Sequence, residues 1–379
     1  DLVLEAERIA IGEQAIERLG ARIAGSLGDH RLTIDIDATQ AQLDAVFAGS
    51  WESGAWSGEI SQGAIDNDVL GSWRQVEPSS LALSPESVAI GSLCLQQEDA
   101  RACVEGTATR DELAVSAQVS AFELASLSAR LPANTFVEGA VGATVDITGT
   151  PGEPRRGSEA GAPDVAIRYT SPQEAVASTL RDMTLNGELG ADTLDFSLGV
   201  NGDYESTLAI AGRVDAWRSS AARLDVNVDA EIPDLAFLAA LYPEVAASSG
   251  ALTADLAVAG QFEAPDVTGS VQLTGGRAEL LRAGITLDDV QLSARPVNGN
   301  RIALTASGQS GEGTVSIDGA VTLDQSAGWP VQATVRGERF TLVSRPDIEL
   351  VVSPDIALSG NAESLEISGS VEAPRAVVT

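Results

Sequence analysis

The sequence predicts an all-β protein in which one elongated, repetitive antiparallel sheet is curled into an open groove, with two short helical turns beside it. Three observations lead to this prediction: an internal repeat, an alternation of apolar and polar residues over most of the chain, and a scarcity of linkers. The alternation indicates strands with one apolar and one wet face, which is typical of antiparallel sheets. The repeat indicates that the sheet grows by adding similar units.

A stretch of 33 residues occurs twice without a gap, at Phe122–Pro154 and, 111 positions later, at Pro233–Pro265. Both copies contain a short helical turn that ends at Pro, then a Gly, an alternating strand and a Gly-x4-Pro motif. A second period of 50 residues relates three strands of the form apolar-x-Gly-x-Val, centred on Gly269, Gly319 and Gly369. Periods of this size mark architectures in which one supersecondary unit is added to the next.

Strands are predicted in chain order wherever apolar and polar residues alternate, as Leu32, Ile34 and Ile36 do with Thr and Asp. Those before the first helical turn are Leu2–Ile11, Gln14–Ile23, Arg31–Asp37, Leu81–Leu83, Val88–Leu95, Ala102–Gly106 and Leu113–Val119. Later ones are Val165–Tyr169, Thr179–Leu189, Leu194–Val200, Leu208–Val214 and Leu224–Ala230, and from Leu252 onward the alternation is almost unbroken. The helical turns are Phe122–Leu131, ended by Pro132, and Asp234–Tyr242.

One segment has the composition of a loop. Thr150–Asp164 contains three Pro, three Gly and five charged residues. It separates residues 1–149 from residues 165–379, which we expect to be two stretches of one continuous groove.

The apolar face must be covered, because each exposed apolar side chain costs about 1.5–3 kcal/mol. A closed barrel of so many strands would need a lipid-facing exterior, which the polar face contradicts. Gly269, Gly319 and Gly369 fall at apolar-face positions, where a strand-interior Gly marks a bulge or bend. We expect them to be the bends of an open groove. A solid β-solenoid or a tandem of sandwiches would show the same alternation and stays an alternative.

The predicted inner surface of the groove is aliphatic and suits acyl chains. The residues expected to line it are Val271, Leu273, Ile285, Leu287, Leu292, Leu304, Ile317, Val321, Val335 and Leu342.

Two cysteines are predicted to form a disulfide. A hairpin about Glu98 and Asp99 puts Cys94 directly opposite Cys103, and opposed strand positions lie within disulfide reach. A disulfide would indicate an oxidising compartment. Two buried free thiols are the alternative.

The net charge of −32 comes from 55 acidic residues against 23 basic ones, all of them Arg. Nucleic acids and anionic bilayers need dense positive charge, so neither is expected as a partner. The chain begins and ends within strand-like pattern, and we expect it to be a fragment of a longer protein.

No catalytic residue or metal site is expected. His30 is the only histidine and is predicted at an exposed turn. Asp35 and Asp37 lie on the polar face of a strand, without converging ligands. No nucleophile-elbow or phosphate-binding motif is present. The chain is therefore predicted to be non-enzymatic and to need no cofactor, although bound phospholipid or detergent is expected.

The order of motifs along the whole chain resembles the TamB family, which is grouped with AsmA-like and bridge-like lipid-transfer proteins. The resemblance rests on Leu93-Cys94-Leu95 with Cys103, on Leu124-x2-Leu127-x3-Leu131-Pro132, and on Gly250-x-Leu252 leading to Gly260-x4-Pro265. Further motifs are Gly275-Gly276-Arg277-Ala278, Val352-Ser353-Pro354-Asp355 and Gly369-x-Val371-x-Ala373-Pro374.

The resemblance implies a periplasmic groove of the β-taco type along which phospholipid moves between the inner and outer membranes of a Gram-negative bacterium. It also implies an inner-membrane anchor in the full-length protein. An Omp85-class outer-membrane partner, TamA-like, would dock through segments missing here. An older interpretation of the family is assembly of autotransporter β-barrels.

Our functional hypothesis is a monomeric lipid conduit. One alternative is a scaffold that offers sheet edges to nascent outer-membrane strands. The other is an inert spacer.

Overall fold

The computed structural model describes residues 1–11, 14–131, 135–170, 175–219, 221–242, 244–362 and 364–378. Antiparallel pairing joins 26 strands into one sheet, which confirms the all-β prediction. The first twelve strands are β1 Leu2–Ile11, β2 Gln14–Ser26, β3 Asp29–Ala38, β4 Ala41–Glu52, β5 Ala55–Asn67, β6 Gly71–Gln75, β7 Ser79–Leu83, β8 Ser87–Gln97, β9 Ala100–Thr109, β10 Leu113–Glu123, β11 Thr135–Glu138 and β12 Ala140–Thr150.

The remaining strands are β13 Glu153–Thr170, β14 Ala175–Leu189, β15 Thr193–Asn201, β16 Thr207–Asp215, β17 Arg223–Ile232, β18 Val245–Gln261, β19 Ala264–Leu280, β20 Ile285–Pro296, β21 Arg301–Ser310, β22 Gly313–Thr322, β23 Val331–Glu338, β24 Phe340–Arg345, β25 Ile348–Gly360 and β26 Leu365–Val378. Helix is confined to two 3₁₀ segments, Leu124–Arg130 and Asp203–Glu205, and one α-helical turn, Leu238–Leu241, within the described residues.

The chain divides into two compact units. Unit 1 comprises Asp1–Leu131, Val137–Pro163 and Leu185–Ala191, and unit 2 comprises the rest of the chain. The main division, between Pro163 and Asp164, falls at the end of the segment that was predicted to be a loop. The predicted division into residues 1–149 and residues 165–379 stays a prediction.

The internal repeat is a structural repeat. In the first copy the N–H of Leu124 donates to the Gly139 carbonyl at 2.9 Å, and in the second the N–H of Leu235 donates to Gly250 at 3.0 Å. The two carbonyl residues have φ values of 129° and 125°, in the region that favours glycine. The helical turns are shorter than predicted. Pro132 and Pro243, expected to end them, lie outside the described residues.

The predicted loop Thr150–Asp164 is corrected by the structure. Only residues 151–152 form a turn, and β13 begins at Glu153. Pro154 pairs with Gly149 at the very start of the strand, a position where proline is tolerated. Pairing then continues to Gly161 against Gly142, so β12 supplies the partner that overrides the loop-like composition.

Unit 1 contains a break in its pairing. β6 and β7 lie end to end between β5 and β8, because β5 and β8 each pair with both. The Gln75 side chain bridges the gap by donating to the carbonyls of Ile60 at 2.8 Å and Glu77 at 2.7 Å.

The two cysteines form a disulfide. Cys94 lies opposite Cys103, as the predicted hairpin requires, with Cα atoms 4.0 Å apart.

Trp56 packs against the β4–β5 hairpin and against His30. Trp56 is buried, and its indole N–H donates to Nε2 of His30 at 2.8 Å. Its ring lies beside Gly49 and Gly58, which face each other across the hairpin. His30 is therefore a half-buried packing partner of Trp56 in β3, and the expected exposed turn position is wrong.

Unit 2 contains a second line of irregularities. Register shifts occur around Gly250 in β18, around Gly276 in β19 and at Asp289 in β20. Asp289 has a φ of 45°. A Cβ on Gly250 would lie 2.8 Å from the Cα of Gly276, and a Cβ on Gly276 would lie 2.9 Å from the Val290 side chain. Small residues thus let the bulges of neighbouring strands align.

The three glycines that were predicted to bend the sheet do not lie at these register shifts. Pairing runs through Gly269, Gly319 and Gly369 without a register shift. Gly269 and Gly369 have φ values of 102° and 121°, whereas Gly319 is not among the positive-φ residues. At all three positions a Cβ would meet the neighbouring strand at about 3 Å or closer, so close approach explains the glycine. Bending at these residues stays a prediction.

Removing the disulfide should destabilise unit 1. For a loop of this size the chain-entropy model gives about 2–3 kcal/mol. We expect Cys94→Ala with Cys103→Ala to lower the unfolding free energy by that amount in a denaturant titration. Reductant should lower the stability of the native chain similarly and leave the double variant unchanged. Equal stability of both proteins without reductant would contradict this.

Adding one methyl group under Trp56 should also destabilise unit 1. A Cβ on Gly58 would lie 2.6 Å from the Gly49 Cα and 2.7 Å from the Trp56 ring. We expect Gly58→Ala to cost about 1–3 kcal/mol, measured by thermal unfolding. Gly28→Ala is the matched control, because open space surrounds that position. Equal melting temperatures would show that the Trp56 packing tolerates the change.

Candidate functional site

The apolar side chains of unit 2 form continuous ladders on one side of the sheet. The first ladder starts in β15, crosses every strand to β23, and ends in β25 and β26. Its members are Val200, Leu208, Ala230, Ala254, Val271, Ala294, Leu304, Gly319, Ala333, Leu358 and Ile367. Each member lies directly opposite the next.

Two further ladders run beside the first. The second is Ile232, Leu252, Leu273, Leu292, Ala306, Ile317, Val335, Ile356 and Gly369. The third is Pro296, Ile302, Val321, Val331, Gly360 and Leu365. We call these three ladders the apolar face. The structure thus brings together seven predicted groove residues: Val271, Leu273, Leu292, Leu304, Ile317, Val321 and Val335.

The other three predicted groove residues lie apart from the ladders. Ile285 and Leu287 precede the bulge in β20 and pair with Leu280 and Ala278, and Ile285 is buried. Leu342 lies at a register shift in β24 and is 45% exposed. β24 pairs with β25 and crosses the turns after β19 and β21, where Ser344 N–H donates to the Ala283 carbonyl at 2.8 Å. Leu342 therefore does not continue the ladders.

The apolar face is only half covered. In β16 and β17 every second residue is partly exposed and apolar or Gly, and the residues between are exposed. The chain of 39.0 kDa has an accessible surface of 22400 Å². Two separate compact proteins of half this mass would together expose only roughly 17,000 Å². The surplus means that the units do not bury their apolar side chains as ordinary globular cores do.

The opposite side of the sheet is polar and carries exposed ion pairs. Arg213 and Asp195 are opposed across β15 and β16, with 2.6 Å between Nε and Oδ1. Arg336 and Asp355 are opposed across β23 and β25, at 3.5 Å. Such exposed pairs contribute little to stability, so this side acts mainly as a solvated surface.

One region of the apolar face forms a partly covered cavity. A cavity of about 360 Å³ lies over the β15, β16 and β17 ends of the first two ladders. Val200, Leu208 and Ile232 line its floor, and Leu180, Phe237 and Tyr204 line it as well. Sequence analysis missed this cavity, because the 3₁₀ turn at Asp203–Glu205 has no helical pattern. The predicted helical turn Asp234–Tyr242 was the one available signal.

Two carboxyl groups of the chain have lowered pKa values. Hydrogen bonds from Ser72 and Arg74 lower the pKa of Asp66, and a hydrogen bond from Ser326 lowers the pKa of Asp324. Both shifts favour the charged form, whereas a general acid at neutral pH needs a raised carboxyl pKa. Within the described ranges, no cluster of three or more metal-ligating residues is found.

Comparison with known families decides the assignment. Residues 1–273 match the family described as TamB, N-terminal domain, and residues 301–379 match the one described as TamB C-terminal domain. The chain belongs to the TamB family. TamB proteins are components of the Gram-negative cell envelope. No solved structure matches the chain. In the portion of this TamB chain that the structure describes, no helix is long and apolar enough to cross a bilayer.

A charge within the apolar face should destabilise unit 2. Ile317 lies between Ala306 and Val335 in the second ladder. We expect Ile317→Asp to cost about 1–3 kcal/mol, because it removes a partly buried aliphatic group and places a carboxylate among apolar neighbours. Gln332→Asp on the polar side is the matched control and should be nearly neutral. Similar denaturation midpoints for the two variants would argue against this assignment of the faces.

Proposed function

We propose that this TamB-family chain is a non-enzymatic conduit segment that holds phospholipid acyl chains against the apolar face. The observation that carries the proposal is the register of the three ladders. They begin in β15, β17 and β20 and continue from strand to strand to β23, β25 and β26, and their members remain at least partly exposed. A hydrocarbon chain lying on them would cover aliphatic surface that the protein itself leaves in water, at a gain of roughly 25 cal/mol per Å².

The chemistry of the face fits a mobile ligand. Its members are Val, Leu, Ile, Ala, Gly and one Pro, so it offers shape and apolar surface but no hydrogen-bonding group. An acyl chain can therefore move from one strand to the next without breaking a specific polar contact. The charged head group would stay in water, which avoids the large penalty of burying an unpaired charge.

The setting of the proposal comes from the family. In this interpretation the chain lies in the periplasm within an inner-membrane-anchored protein, and phospholipid passes between the two membranes. An Omp85-class, TamA-like outer-membrane protein would be the partner, and the chain itself would act as a monomer without a resident cofactor. The large negative charge supports a partner other than nucleic acid.

The second candidate function is a scaffold for nascent outer-membrane β-barrels, in which an incoming strand would pair with an edge of the sheet.

Native mass spectrometry after gentle purification should separate these functions. We expect several phospholipids per chain, and fewer for Ile317→Asp, because it puts a charge among the aliphatic residues of the second ladder. Gln332→Asp should retain the full number. Circular dichroism should show that all variants keep their β structure. A lipid-free native chain that binds unfolded barrel peptides would overturn the conduit in favour of the scaffold.

A further inference from the structure

The apolar face is not uniform, because two segments of the chain partly cover its β15 end. We call these two segments the roof. Val200 and Leu208 are the first two members of the first ladder, and Ile232 begins the second. These three side chains also line the cavity of about 360 Å³. The cavity therefore continues the ladders, and a chain lying on them reaches it without crossing polar surface.

The roof is built from two segments. The first is the chain after β17, where Asp234 accepts a hydrogen bond from the N–H of Ala236 at 3.0 Å and Phe237 lines the cavity. Leu235 beside them is buried, and its carbonyl accepts a hydrogen bond from Ser248 at 2.8 Å. The roof is thus attached to β18 and belongs to the folded unit.

The second segment is the turn between β15 and β16. Asp203 fixes it to β14, because its carboxylate accepts hydrogen bonds from the Thr179 N–H at 2.7 Å and from Arg181 at 3.0 Å. Tyr204 and Glu205 follow with φ values of 57° and 60°, a strained conformation for side-chain-bearing residues. This turn puts Tyr204 at the cavity, although the side chain is 66% exposed.

The lining determines the class of ligand. Apolar surface dominates, and the volume lies at the small end of the range for ligand pockets. Arg181 is paired with Asp203, which lines the cavity, and Asp234 in the lining adds a second carboxylate. A free anion would meet net negative charge here. A single hydrocarbon chain, with a head group that carries an ammonium and stays outside, fits both features.

We infer that this cavity is a holding site for one acyl chain of an ammonium-bearing phospholipid. The inference rests on the proposed conduit function and adds to it a place where the lipid pauses. The partly covered cavity removes more hydrocarbon surface from water than the open ladders do, so a chain that enters it leaves more slowly.

Site-specific photo-crosslinking tests the inference. A benzophenone amino acid is placed at Phe237 in the cavity, at Leu292 in the open second ladder, or at Gln332 on the polar side. The full chain is then illuminated with vesicles of palmitoyl-oleoyl phosphatidylethanolamine. We expect crosslinks at Phe237 and Leu292 and none at Gln332. Crosslinks at Leu292 without any at Phe237 would overturn the holding site and leave the conduit intact. No crosslink at either position would reject both.

A cavity-filling variant supplies an independent measurement. Ala236→Trp adds bulk inside the cavity, and Ala209→Trp adds the same bulk at an exposed position on the other side of β16. We expect native mass spectrometry to show one phospholipid fewer per chain for Ala236→Trp than for Ala209→Trp. Equal numbers would overturn the holding site. If Ala236→Trp loses its β circular-dichroism signal, the Phe237 crosslink alone decides.

Discussion

Backbone pairing in a fixed register is the constraint on which the rest of this structure depends. Side chains along a strand alternate between the two faces, so a slip of one residue would move a whole strand's aliphatic residues to the polar side. From β15 to β26 each ladder residue is opposed by another ladder residue, and the acidic residues collect on the other side. The apolar face is thus a property of the pairing, and no single residue creates it.

Bulges would destroy such a face if they changed its parity, and here they do not. Ile285 and Leu287 lie on one side of the β20 bulge and Val290 and Leu292 on the other, so the extra residue, Asp289, keeps the aliphatic positions in phase. Gly250 and Gly276 allow the neighbouring strands to shift at the same level. The register therefore shifts in neighbouring strands while the aliphatic positions stay on the same side.

Much of this arrangement follows from the sequence alone. Alternation identifies the strands because burial on one face imposes a period of two, and seven groove residues fall into the ladders for that reason. The prediction of a loop at Thr150–Asp164 was wrong, because Pro and Gly are tolerated in a strand when a neighbouring strand supplies the hydrogen bonds. Leu342 does not join the ladders, because β24 crosses the ends of neighbouring hairpins. No local sequence pattern encodes that placement of β24. The cavity depends on Tyr204 and Phe237, which line the same space only because tertiary packing brings their segments together.

The duplicated segment has a consequence for how such a chain changes in length. Each copy carries its own helical turn, its own glycine with a positive φ and a Gly-Pro pair that starts the following strand. One copy supplies a single strand, so inserting it alone would reverse the direction of every strand that follows in an antiparallel sheet. Unequal recombination between the two copies would instead add or remove the whole 111-residue period, which begins and ends at equivalent positions of the repeat.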